Sequence, residues 1–143
     1  WIVNGATSLY ENWPIDAKSD ISLNHIMFGE IGAWYYKALG GLKPDQEKPG
    51  FRNVLLEPNF VKGLNAFQIS HKGPYGEIQS GWKREGKKVV YSVVIPANSS
   101  ATIKLRGTEI RRNGKPVYEA KKFEGSNYTT HLPAGTFEFE VTQ

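Results

Sequence analysis

Val89-Val90-Tyr91-Ser92-Val93-Val94-Ile95 is the stretch that decides the fold. It is rich in β-branched and aromatic residues, and a strand turns successive side chains to opposite faces. Val89, Tyr91, Val93 and Ile95 therefore share one face, and Val90, Ser92 and Val94 the other. The same period-two pattern recurs downstream: Ala101, Ile103 and Leu105 alternate with Thr102 and Lys104, and Phe137, Phe139 and Val141 with Glu138 and Glu140. Turn residues punctuate these runs at Gly73-Pro74, Glu85-Gly86, Pro96-Ala97-Asn98, Asn113-Gly114 and Pro133-Ala134-Gly135. Asn113-Gly114 predicts a two-residue hairpin, because a type I′ turn needs positive φ at both central positions. About seven or eight short strands predict an antiparallel β-sandwich over residues 51–143, with Phe67, Ile69, Val89, Tyr91, Val93, Ile103, Phe137 and Phe139 largely buried.

Upstream of Phe51 the pattern changes. Leu23, Met27, Ile31, Trp34 and Ala38 recur every three or four positions and predict a short helix from Ser22 to Leu39, capped by Ser22 or Asp20. Gly40-Gly41 and Pro44 end it. Gly29 and Gly32 lie inside it, each at a cost of about 1 kcal/mol relative to Ala, which predicts a close-packed neighbour that the chain does not itself supply. Residues 43–50, Lys-Pro-Asp-Gln-Glu-Lys-Pro-Gly, have linker composition. The expected domains are thus 1–42, a linker at 43–50, and the sandwich at 51–143.

The net charge of +4 over 143 residues is uneven, −2 in residues 1–50 and +6 in residues 51–143. The cations are scattered as Lys83-Arg84, Lys87-Lys88, Arg111-Arg112 and Lys121-Lys122, mostly beside turn residues. Solvated loop tips explain them better than a phosphate-tracking stripe, so no nucleic-acid partner is expected. No apolar run reaches membrane-spanning length, and no membrane association is expected. The absence of Cys excludes disulfides and thiolate metal sites without fixing the compartment. An extracytoplasmic location, such as the periplasm, is the expectation. With no initiator Met and no signal-like start, Trp1 is expected to lie inside a longer protein.

Glu11 by itself reads as a solvated loop carboxylate, but its surroundings are unusual. Trp1, Tyr10, Trp13, Trp34, Tyr35 and Tyr36 crowd the first 36 residues, which hold three of the four tryptophans. Aromatic faces stack on the C–H faces of sugars, so a carboxylate among them sketches a glycoside site. His25, at the expected first helical turn, reads either as a capping histidine or as a neutral imidazole that contacts a hydroxyl. His71 and His131 have no ligand-like spacing to it, so neither metal nor other cofactor is expected.

Taken together, Gly5-Ala6-Thr7-Ser8-Leu9-Tyr10-Glu11-Asn12-Trp13, Ser22-Leu23-Asn24-His25, Phe28-Gly29 and Trp34-Tyr35 resemble the end of the catalytic domain of bacterial α-L-rhamnosidases, glycoside hydrolase family seventy-eight. Pro49-Gly50-Phe51, Pro58-Asn59, Ser70–Gly76, Ser80-Gly81-Trp82-Lys83 and Ile95–Ala101 resemble that family's C-terminal β-domain, and beyond about residue 106 only a generic strand pattern remains. The resemblance implies that residues 1–42 end an (α/α)6 barrel whose enzymes hydrolyse terminal α-L-rhamnose with inversion. It implies that Glu11 is the general base, that His25 contacts the sugar, and that Trp13 is the second aromatic of the motif. The loop Pro14–Ile21 is shorter than in several relatives, which bears on the shape of that side of the pocket. Asp16, Asp20 and Glu30 are poor candidates for the partnering acid, which the resemblance places upstream, so the chain alone is expected to be inactive.

A competing reading makes the sandwich a carbohydrate-binding module with Tyr75, Trp82 and Tyr91 as platform. Parity argues against it, since Trp82 goes with Ile78 and Tyr91 with Val89 and Val93; Tyr75, in a Gly-Pro-Tyr-Gly turn, is the better binding candidate. A structural domain whose basic loops meet an acidic partner is a third reading. The expected partner of the whole protein is an L-rhamnose-containing glycan, with self-association possible through the helix's apolar face.

Overall fold

Pleated alternation and turn chemistry build two sheets in the computed structural model, which describes residues 2–11, 22–119 and 127–143. The chain divides into two compact units between Trp34 and Tyr35. In the second unit, one sheet has four strands in the order β1 (Leu42–Pro44), β2 (Asn53–Leu56), β6 (Ser100–Arg106) and β9 (Asn127–Leu132). The other has six, in the order β3 (Ala66–Gly73), β4 (Gly76–Glu85), β5 (Lys88–Ile95), β10 (Gly135–Thr142), β7 (Glu109–Arg112) and β8 (Lys115–Glu119). The architecture is mainly β, as the alternation predicts, with one addition: β2 and β6 run parallel while the other described pairs are antiparallel.

The inner faces meet in one apolar core. The large sheet contributes Ile69, Ile78, Trp82, Val89, Tyr91, Val93, Ile95, Ile110, Phe139 and Val141; the small sheet contributes Leu42, Val54, Leu56, Ala101, Ile103, Leu105 and Leu132. Each fully buried Val, Leu or Ile side chain contributes about 1.5–3 kcal/mol, so the strand faces that alternation selects are also the main source of stability. Phe67 and Phe137 depart from expectation and are only half-buried. Phe67 sits on the edge strand β3 and stacks on Tyr35, with centroids 6.2 Å apart. Phe137 lies near the start of β10, its ring against Gly135. The Asn113-Gly114 turn is as expected, with φ of 52° and 75° between paired Arg112 and Lys115.

The helical segment begins later than its periodicity suggests. A 3₁₀ turn covers Ile26–Gly29 and one α-helical turn Glu30–Trp34; the second unit opens with a π-helical turn, Tyr35–Leu39. Ser22 does not cap it: residues 22–25 are held instead by the hydrogen bonds described below. The C-terminal end of the π turn is anchored by side chains of β4. Ser80 Oγ donates to the Gly40 carbonyl at 2.8 Å and Trp82 Nε1 to the Leu39 carbonyl at 3.4 Å, supplying partners for two carbonyls at the helix end. Gly41 follows at φ 70°, where a Cβ would collide with the Glu57–Pro58 backbone, and β1 starts at once, pairing Lys43 with Leu55 and Pro44 with Val54.

Candidate active site

Two stretches of the first unit, Ser8–Glu11 and Ser22–His25, are laced together. The Glu11 N–H donates to the Ser22 carbonyl and the His25 N–H to the Leu9 carbonyl, each at 2.9 Å, while Ser8 Oγ donates to the Leu23 carbonyl. The Ser22 N–H returns a hydrogen bond to Glu11 Oε2 at 3.0 Å. Ser22 thus holds Glu11 twice, once by backbone and once by carboxylate.

This lacing brings His25 to Glu11. The Nδ1 to Oε2 distance is 3.7 Å, within charge-pair range and longer than a hydrogen bond. The imidazole meets the Phe28 ring edge-on, with centroids 6.1 Å apart. His25 precedes the 3₁₀ turn with extended φ and ψ of −86° and 114°, and its side chain makes no cap hydrogen bond. The capping alternative for His25 is thereby removed, and its position before the turn, not within it, weakens the dipole argument as well. Glu11 remains partly open to solvent, so one carboxylate oxygen is fixed while the group as a whole stays accessible. Chemically, the pair offers a proton acceptor beside an imidazole that can bond a hydroxyl.

Trp13, Asp16 and Asp20 lie outside the described residues. The residue that sequence reasoning missed is Ser22, whose contribution is through its backbone N–H and so leaves no side-chain signature. Among the described residues no three His, Asp or Glu side chains come together in a way that could hold a metal ion. In the second unit, Trp82 and Tyr91 are core residues, at 3% and 0% exposure, so they cannot form a stacking platform; Tyr75 is exposed.

Residues 41–119, more than half of the chain, match the family model described as bacterial alpha-L-rhamnosidase C-terminal domain. The chain belongs to the bacterial α-L-rhamnosidase family. Residues 1–39 match the model for the family's six-hairpin glycosidase domain, and the C-terminal match runs to residue 119, past the point near 106 where sequence resemblance fades. An alpha-L-rhamnosidase of Formosa agariphila is 31% identical over 98% of the chain, and one of an Alteromonas species is 32% identical over 98%. The chain spans only 16% and 15% of the length of these two rhamnosidases. Among solved structures, an alpha-L-rhamnosidase from Dictyoglomus thermophilum shares the fold with a TM-score of 0.85 at 23% identity, over 99% of this chain and 17% of that one. A Streptomyces avermitilis alpha-L-rhamnosidase, crystallised with L-rhamnose, shares it with a TM-score of 0.76 at 19% identity, over 99% of this chain and 14% of that one.

Proposed function

We propose that this chain carries the general-base side of an inverting α-L-rhamnosidase, with residues 1–42 ending its catalytic barrel, 43–50 linking, and 51–143 forming a supporting sandwich. Glu11 takes a proton from the attacking water. His25 and Trp13 contact the sugar. The acid that protonates the leaving oxygen comes from the remainder of the enzyme, roughly 6.5–9.5 Å from Glu11, the separation that leaves room for a water in inversion. The substrate is a glycan or glycoside with terminal α-L-rhamnose.

The observation that carries this reading is the pinned carboxylate: Glu11 Oε2 accepts from Ser22 and stands 3.7 Å from His25 Nδ1. A solvated surface glutamate needs no such support, whereas a general base must be held within reach of its water. Family membership and the L-rhamnose complex of the Streptomyces avermitilis relative favour the substrate class.

The test is hydrolysis of an aryl α-L-rhamnoside by the intact enzyme. Glu11→Gln keeps the hydrogen bond from Ser22 and removes the proton acceptor, so kcat is expected to fall by about 10²–10⁴-fold with little change in KM. His25→Ala is expected to raise KM as well as lower kcat. The 143-residue chain alone is expected to be inactive. Near wild-type turnover by the Glu11→Gln enzyme removes the assigned role, and robust activity from the chain alone overturns the half-site reading.

A further inference from the structure

Three segments of the second unit converge at one end of the sandwich: the residues before β2, the β3–β4 turn, and the turn before β6. The backbone there is strained. The outlier is Phe51, with φ of 62° in the left-handed region that a bulky L residue rarely adopts; Asn98, at 63°, takes the same region in the turn, where Asn is common. The conformation is enforced from one side, where buried Ser99 donates its hydroxyl to the Phe51 carbonyl at 2.5 Å and the Ser100 N–H donates to the Arg52 carbonyl at 3.0 Å. On the other side the Phe51 ring lies 4.4 Å from that of His71. The β3–β4 turn belongs to the same end, since a Cβ at Gly76 would strike Pro96, which opens the turn before β6.

Strain of this kind persists only where the surroundings over-determine it, and it concentrates at binding sites. Here it borders a cavity of about 320 Å³ lined by Lys48, Arg52, Asn98, Ser99 and Ser100. Among the described residues Arg52 has no carboxylate within ion-pair distance. Lys48 has Asp45 nearby, but that carboxylate already accepts from Asn53 Nδ2 at 2.8 Å and from the Glu47 N–H at 3.0 Å. The hydroxyls of Ser99 and Ser100 are spent as donors, to the Phe51 carbonyl and to Asn53 Oδ1 at 2.9 Å, which leaves their oxygens as acceptors. The lining thus combines two cations, one side-chain amide and hydroxyl acceptors. That donor set fits a ligand carrying an oxyanion beside hydroxyl groups. Tyr75, 40% exposed in the β3–β4 turn, adds an aromatic face at the same end.

We propose that this end of the sandwich is a second carbohydrate site, one that takes an acidic sugar. Arg52 and Lys48 hold its carboxylate, Asn98 and the serine oxygens bond neighbouring hydroxyls, and Tyr75 stacks on the ring face. The site is built from residues other than Glu11 and His25 and needs no hydrolysis, so it stands or falls independently of the proposed activity.

The test is a titration of the isotope-labelled 143-residue chain with trigalacturonate, with its carboxyl-reduced neutral counterpart, and with sodium sulfate, followed by backbone amide shifts. Trigalacturonate is expected to move resonances of 48, 50–53, 75 and 98–100, and the neutral trisaccharide to bind at least tenfold more weakly. Arg52→Gln is expected to weaken trigalacturonate binding at least tenfold with the thermal melt unchanged. Tyr75→Ala is expected to weaken trigalacturonate without altering any response to sulfate. Should Arg52→Gln fail to fold, Lys48→Gln, at an exposed position, is expected to show the same loss. Absence of shifts, equal binding of the neutral trisaccharide, sulfate binding as tight as trigalacturonate with the same shifts, or indifference to both charge substitutions would each overturn the proposal.

Discussion

Ser80 shows how much a single small side chain settles. It is fully buried, donates to the Gly40 carbonyl at 2.8 Å and lies 3.1 Å from the Tyr91 hydroxyl. Burial pushes the Tyr91 hydroxyl well above the usual tyrosine range, so it stays protonated. Ser80→Ala leaves the Gly40 carbonyl and the Tyr91 hydroxyl short of a partner, and a loss of about 1–3 kcal/mol in denaturant unfolding is expected. Glu57 makes a second point at this scale. Lys43 and Arg106 each approach its carboxylate to 3.1 Å, and the Lys43 hydrogen bond, first among the causes, holds its pKa below the ordinary value of 4.5. Because the folded-state pKa is lowered, the stabilisation is present above 4.5 and is lost as pH falls through the folded value. Glu57→Gln is therefore expected to cost about 1 kcal/mol at neutral pH and to flatten the acid limb of a stability-against-pH curve. Neither network was legible in the sequence, because a serine or a glutamate does not announce which carbonyl or cation the fold will bring to it. Glu11 and His25 were legible only as members of a motif; their meeting depends on the backbone of Ser22.

Among elements, the strands were legible and their pairing was not. Alternation put Val89, Tyr91, Val93 and Ile95 on one face because period two is local, and all four are buried. Nothing local told β2 to run parallel to β6, and the three residues of β1 are too few to carry a pattern. The helical segment starts later than the apolar spacing of 22–39 predicts because the chain at 22–25 spends its hydrogen bonds on the Ser8–Glu11 stretch. Glycines separate in the same way. Gly41 and Gly86 both have positive φ, 70° and 64°, but a Cβ at Gly41 would enter the Glu57–Pro58 backbone while one at Gly86 meets open space. Gly86→Ala is expected to cost about 1 kcal/mol from the backbone conformation alone. Gly41→Ala is expected to cost several times as much, read as paired shifts in thermal midpoint, because the Glu57–Pro58 strand end must also move. Equal losses at the two positions would refute the steric distinction.

At the scale of the whole molecule, the two units are unlike in how they are held. The second has a continuous core, whereas none of the described residues in 2–34 is buried. Ile2, Val3, Leu9, Leu23, Ile26, Met27, Ile31 and Trp34 are all exposed, Ile26 at 91%, and a Cβ at Gly29 or Gly32 would meet nothing within 4 Å. So much apolar surface marks a contact region. The chain is accordingly expected to self-associate, with a light-scattering mass that rises with concentration and falls back when Ile26 and Ile31 are changed to Ser; a constant monomer mass would count against it. The three-to-four spacing of Leu23, Met27, Ile31 and Trp34 predicts this apolar face. The parallel pairing of β2 with β6 has a different consequence, one of timing. Asn53 pairs with Ser100 across 47 residues, and β6 must then wait for β9. By contrast β3, β4 and β5 join through consecutive tight turns. Loop closure favours such short connections, so the β3–β5 meander assembles first and the four-stranded sheet closes over it last. During synthesis β2 leaves the ribosome with only β1 to pair with, and its side facing β6 stays unpaired until the chain has returned past Arg106, the interval in which the nascent sandwich is most open to mispairing.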